Sequence, residues 1–193
     1  MSMAFSTRRG LLTWLTVATL ALSGTTWGAP FVPESFAVPA SAEGEGFRLV
    51  PLGPAVTEID YRAYMSSIEH LQTTFTHSTR WPNKDLGLAE AATDMAQEAA
   101  LFQSRRAFAY AVLTPDGQRE RGCIYIRPSL KVGFDAVVRL WVTEAEYAAG
   151  FDSALERWTR TWVRDQWPFD LERVAWPDRG LPWSTWQALE EKP

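Results

Sequence analysis

The chain has 193 residues, with 19 Lys and Arg against 23 Asp and Glu and a net charge of −4, which excludes phosphate-backbone binding without a local basic patch. Its one cysteine, Cys123, excludes an internal disulfide framework. With only two histidines, His70 and His77, too few N and S donors remain for an ordinary first-row metal site. No nucleic-acid partner and no metal centre are expected.

No acid precedes Glu34, and Thr7-Arg8-Arg9-Gly10-Leu11-Leu12 opens an apolar run to Leu22 that Thr13, Thr16 and Thr19 dilute. That run is well short of the roughly 20 apolar residues that span a bilayer. The pattern resembles the twin-arginine export signal: a hydroxyl residue, two arginines, any residue, then two large apolar ones. It implies passage through the twin-arginine machinery, a periplasmic or cell-envelope location, and no stable membrane span after processing. The signal is expected over residues 1–29. Ala40-Ser41-Ala42 is also a small-x-small site, so cleavage as late as residue 42 stays open.

Residues 30–46, rich in Pro, Ala, Ser, Glu and Gly, read as an extended arm or linker, and one domain is expected over 47–193. Phe47-Arg48-Leu49-Val50-Pro51-Leu52 predicts a first strand ended by Gly53-Pro54. From Thr57, Ile59, Tyr61, Tyr64, Met65, Ile68 and Leu71 keep the spacing of one amphipathic helix. Breakers over 74–87 predict a loop. A second helix follows from Leu88 to Phe102, with Arg105 and Arg106 suited to its negative end. Residues 107–113 switch to period two, with Phe108, Tyr110 and Val112 on one face and alanines on the other. Thr114-Pro115-Asp116-Gly117 is a turn. Strands are expected over 122–127, 136–143 and 171–176, and helices from near Asp152 through Trp162 and over 183–189. The order gives an α+β fold with a mixed, mainly antiparallel sheet flanked by helices.

Cys123 alternates with Tyr125 on a strand, has no identifiable histidine partner, and reads as a small buried apolar residue. Trp158, Trp162, Trp167, Trp176, Trp183 and Trp186 crowd the last third. Helix-spaced aromatics ordinarily face a core; the alternative is an aromatic ligand cleft.

The element order, with the stretches FVPESFAVP, RLVPLGP, DYRAYMSSIEHLQTTF, RRAFAYAVL, GCIYI and VRLWVT, resembles the GNAT-type N-acetyltransferase superfamily, in particular a bacterial subgroup carrying twin-arginine signals. The resemblance spans about residues 31–190. It implies a GNAT-like fold and transfer of an acetyl group from acetyl-CoA to an amine acceptor. The cofactor-binding elements would be Leu140-Trp141-Val142-Thr143 and the loop Tyr147-Ala148-Ala149-Gly150-Phe151-Asp152, where amides at a helix start would hold the pyrophosphate. Asp152 is also placed to cap that helix itself. No Lys or Arg lies between Leu140 and Glu156, which contains four acids. Glu69, His77 and Tyr125 are the candidate catalytic groups, with His70 nearby. The chain ends at Pro193, so the superfamily's two closing strands are expected to be missing. A catalytically inactive binding protein with a Trp-rich cleft for a small molecule or peptide stays the alternative.

Overall fold

The computed structural model describes residues 31–193; the signal expected over 1–29 lies outside them. Six strands lie side by side in chain order: β1 (Ala42–Gly44), β2 (Phe47–Pro51), β3 (Phe108–Leu113), β4 (Glu120–Pro128), β5 (Ala136–Val142) and β6 (Val174–Ala175). Neighbours from β1 to β5 are antiparallel, and β6 pairs parallel to β5. A parallel pair needs a long crossover. Helices α4 (Glu144–Ala148) and α5 (Phe151–Gln166) supply it, while α1 (Thr57–Met65), α2 (Ile68–Leu71) and α3 (Leu88–Gln103) connect β2 to β3, and α6 (Trp183–Ala188) follows β6. This is the expected α+β architecture. Beyond β6 the described residues add only α6 and isolated bridges.

The period-two pattern of β3 sorts two cores. Phe108, Tyr110 and Val112 join Ile124, Ile126, Val138 and Leu140 beneath α5, whose Leu155, Trp162 and Val163 close that layer. Ala109 and Ala111 face the other way with Trp141, and their small side chains admit Ala63 and Tyr64 of α1 and Ala91 and Met95 of α3. Trp162 and Trp167 are core residues, and Trp158 packs on them partly exposed. No described helix is long and apolar enough to cross a membrane.

Four local expectations are corrected. The helix expected over 57–71 breaks at Ser66-Ser67, because Ser66 Oγ donates to the Ala63 carbonyl and buried Ser67 accepts from the Glu144 amide, 2.9 Å away. After α2 one π-helical turn, Gln72–Thr76, ends at His77, which has φ 51°. Arg105 does not cap α3: it lies beyond Gln103 with φ 59°, and its Nη2 donates to the carbonyls of Pro33 and Phe36. The strand expected over 171–176 begins as a 3-10 turn, Leu171–Arg173, held by the Asp170 carboxylate accepting from the Glu172 amide, so β6 keeps two residues.

Residues 31–46, expected as an extended arm, belong to the folded domain. Val32 is 2% exposed, Phe31 stacks on Phe108 and Phe169, and Phe36 packs on Trp167. The Tyr110 hydroxyl donates to the Pro39 carbonyl at 2.8 Å. A cut after Ala42 would fall inside β1.

Candidate active site

Strands β5 and β6 pair only at Ala136↔Val174 and Val137↔Ala175, then diverge. The chain leaves β6 through Pro177-Asp178-Arg179-Gly180, and among the described residues the β5 edge from Val138 to Val142 has no strand partner on that side. Along this fork lies a cavity of about 280 Å³ that holds Leu140, Trp141, Val142 and Asp152 of the expected cofactor site together with His77, Asp178 and Arg179. His70 and Tyr147 close its far wall, their rings 4.9 Å apart.

His77 Nε2 and Asp178 Oδ2 are 2.8 Å apart, and the imidazole stacks on Trp183 with centroids separated by 4.9 Å. Both residues have positive φ, 51° and 63°, in a region that costs a side-chain-bearing residue energy unless its surroundings hold it there. Two such backbones meeting through one hydrogen bond, 101 residues apart, form an oriented acid-imidazole pair. Arg139 lies 3.9 Å from Asp178, between the rings of Phe75 and Trp183 at 4.2 and 4.6 Å, and donates to the Phe75 carbonyl. Burial draws the Arg139 pKa below its ordinary value, with Asp178 opposing.

At the start of α5, Asp152 is not the cap. Gly150 occupies that position with φ 79° and no side-chain bond. Asp152 instead receives two hydrogen bonds from Arg179, at 2.9 and 2.7 Å, and Arg179 also reaches Glu156 at 3.2 Å. Burial works against the Arg179 charge, but these two carboxylates hold its pKa above the ordinary value. Glu146 is likewise met by Arg119 and Arg121, each at 2.5 Å. Burial would push its carboxyl up, and the two guanidiniums outweigh that, leaving it below the usual range. Glu146, Asp152 and Glu156 of the acidic segment are therefore each paired with an arginine outside it.

The other expected residues lie elsewhere. Thr143 is buried and caps α4, its hydroxyl accepting from the Glu146 amide, so it does not face the fork cavity. Phe151 is a core residue against Phe47, beneath the Arg121 guanidinium. Gly150 supplies the left-handed turn into α5. Glu69 is exposed on α2 and lines neither chamber of the fork. Tyr125 lines an adjoining cavity of about 290 Å³ with Phe75, Trp81, Arg127, Val137 and Arg139. Burial pushes its phenol well above the usual value, and its oxygen accepts from Trp141 Nε1 at 3.3 Å. The sequence does not single out Arg139, Asp178 and Arg179 as site residues, and Trp183 enters there only as one of six tryptophans of the alternative aromatic cleft. One signal was present: Arg139 is the single charge in the strand AVVRLWV.

Cys123 is buried but not in an apolar place. Its Sγ lies 2.9 Å from Glu120 Oε1 and 3.4 Å from Asp60 Oδ1, all three groups inside the core beneath α1. Burial is the main cause that pushes Asp60 up to about 6 and Glu120 well above the usual carboxylate range. A carboxyl protonated more readily in the folded than the unfolded chain stabilises fully below its unfolded pKa, near 3.8, and that contribution disappears as pH rises through about 6. The Asp60 change corresponds to about 3 kcal/mol. Asp60→Asn is expected to remove most of this slope and to raise stability above pH 6 by about 1 to 3 kcal/mol, because the amide still accepts from Cys123 and can donate to Glu120. Urea unfolding from pH 4 to pH 8 measures it; an unchanged slope would count against the proton-sharing network.

No protein-family model and no curated protein matches the chain. Solved structures do. The ribosomal-protein-S5-alanine acetyltransferase of Vibrio fischeri superposes with TM-score 0.50 at 15% identity, over 65% of this chain and 67% of that one. The chain has the GNAT acetyltransferase fold. A Bordetella pertussis protein described as a GNAT-family acetyltransferase matches with TM-score 0.48 at 15% identity, over 66% of this chain and 73% of its own. The RimL ribosomal L7/L12 alpha-N-protein acetyltransferase gives 0.48 and 15%, over 66% and 64%. The cavity along the fork between β5 and β6 reaches Asp152 in the first turn of α5.

Proposed function

We propose that the protein is an N-acyltransferase that takes an acyl group from acyl-CoA at the β5/β6 fork and passes it to an amine. One observation carries this reading: the unpaired edge of β5 leads, within one cavity, to the α5 N-terminus on one side and the His77-Asp178 pair on the other. The residues fit such a donor. Among the described residues no strand pairs with 138–142 on that edge, where only the Leu140 carbonyl is approached, by Arg179 at 3.5 Å, so backbone groups remain to bind an extended amide-bearing chain. The first-turn amides of α5, after a left-handed glycine, suit phosphate, and Arg179 offsets the Asp152 carboxylate beside them. A bound acyl-CoA would supply a thioester carbonyl open to attack. His77, oriented by Asp178, takes the proton from the acceptor ammonium. The Tyr125 hydroxyl, kept protonated by burial, provides a proton for the leaving sulfur.

A second reading is a GNAT-fold binding protein without catalysis. It draws on Arg179, which ties Asp152 and also approaches the Leu140 carbonyl at 3.5 Å, lying across the groove. The two readings separate on acetyl-CoA and a panel of primary amines, with free thiol and N-acetyl product counted together. Equal amounts of both support transfer; neither, with binding retained, supports the second reading. Export to the periplasm or envelope is part of the proposal. Its support is the Arg8-Arg9 pattern, and it is tested by exchanging both arginines for lysine and following secretion.

A further inference from the structure

The cavity beside the fork has wall chemistry that acyl transfer alone does not require. Tyr125 pairs with Arg139 and Arg127 with Val137 across β4 and β5, so these four side chains share one sheet face. Phe75 and Trp81 complete apolar walls, and the charged wall groups are the guanidiniums of Arg127 and Arg139. Glu98 meets Arg127 at 2.5 Å. Among the described residues the one carboxylate paired with Arg139 is Asp178 at 3.9 Å, whose same oxygen already serves His77. The Phe75 and Trp183 rings lie 4.2 and 4.6 Å from the Arg139 guanidinium carbon and Nη2 donates to the Phe75 carbonyl, which orients a fork suited to a carboxylate. Asp178 and His77 line the adjoining cavity along the β5 edge, next to Arg139, and suit an ammonium there. About 290 Å³ lies at the small end of ligand sites.

We propose that this cavity binds a small amine that also carries a carboxylate and a flat apolar side chain, an aromatic α-amino acid being the simplest form. The carboxylate meets Arg139, with Arg127 contributing less because Glu98 already pairs with it; the apolar body lies between Phe75, Trp81 and Tyr125; the amine points toward His77 and Asp178 of the adjoining cavity. That this amine is the acyl acceptor rests on the reading above, whereas its binding does not.

The test is calorimetric titration of the full chain, without acyl donor, using L-phenylalanine and phenethylamine, which lacks the carboxylate. Phenylalanine is expected to bind at least about tenfold more tightly, and Arg139→Gln to abolish that preference while leaving phenethylamine within about threefold. Arg127→Gln is expected to reduce the preference by a smaller factor and guards against misfolding of the Arg139 variant. Equal affinity for the two ligands, or no phenylalanine binding at millimolar concentration, would overturn the proposal, as would a preference that survives in folded Arg139→Gln. In a parallel arm acetyl-CoA is added and N-acetylphenylalanine sought by mass. Binding without product upholds the cavity assignment and counts against acyl transfer; product formed without carboxylate preference counts against the cavity assignment alone.

Discussion

A chain shortened to begin at Glu43 is expected to melt far below one that begins at Phe31, or to fail to fold. The shorter chain loses Val32 from the core, the Phe31 and Phe36 rings from Phe108, Phe169 and Trp167, and a residue of β1. Burying one such side chain contributes about 1.5 to 3 kcal/mol. The Tyr110 hydroxyl, fully buried, would lose its Pro39 acceptor at a further cost of about 1 to 3 kcal/mol. The sum is comparable to the whole stability of an ordinary domain, about 5 to 15 kcal/mol. Thermal melts of the two chains decide it. Equal melting temperatures would mean that the arm is dispensable and that processing as late as residue 42 leaves a sound protein.

His77→Ala is expected to lower acyl transfer by about 10²- to 10⁴-fold, the usual contribution of a positioned general base. Stability should change little, since the side chain is 29% exposed. Asp178→Asn keeps the shape but removes the charge that orients the imidazole, and a smaller loss is expected. The distinguishing measurement is the kcat against KM split for acetyl-CoA. A base acts on the acceptor, so kcat should fall while donor KM holds. A rise in donor KM with kcat preserved would instead assign His77 to donor binding.

Most of the fold was legible because side-chain period follows packing: β3 alternates large and small residues between two cores, and α5 turns one face inward. Phe108, Tyr110 and Val112 alternate, and Leu155, Trp158 and Trp162 recur at helical spacing, so pattern alone located β3 and α5. What escaped was set by contacts distant in sequence. Ser67 ends a helix because the Glu144 amide needs an acceptor, and Phe31 and Phe36 sit in a Pro-rich stretch whose composition signals a linker while its rings fill a core. The site shows the same division. Leu140 to Val142 could be placed from strand order, whereas Asp152 looked like a cap among uncompensated acids because its partner, Arg179, is 27 residues away. His77 stood out only by residue type. The partner that gives it chemistry, Asp178, lies in a turn with no local signature.

The claim that the fork receives acyl-CoA is tested most directly by calorimetric titration of the full chain with CoA and acetyl-CoA, alongside Arg179→Ala and Asp152→Gly. The account predicts micromolar binding by the native chain, weakened at least about tenfold in Arg179→Ala, where Asp152 would face the phosphates unneutralised while Glu156 keeps Arg160. Binding gained only in Asp152→Gly would mean a cradle closed by its own ion pair, and the binding-protein reading would replace the enzyme. No binding by any of the three would contradict the account.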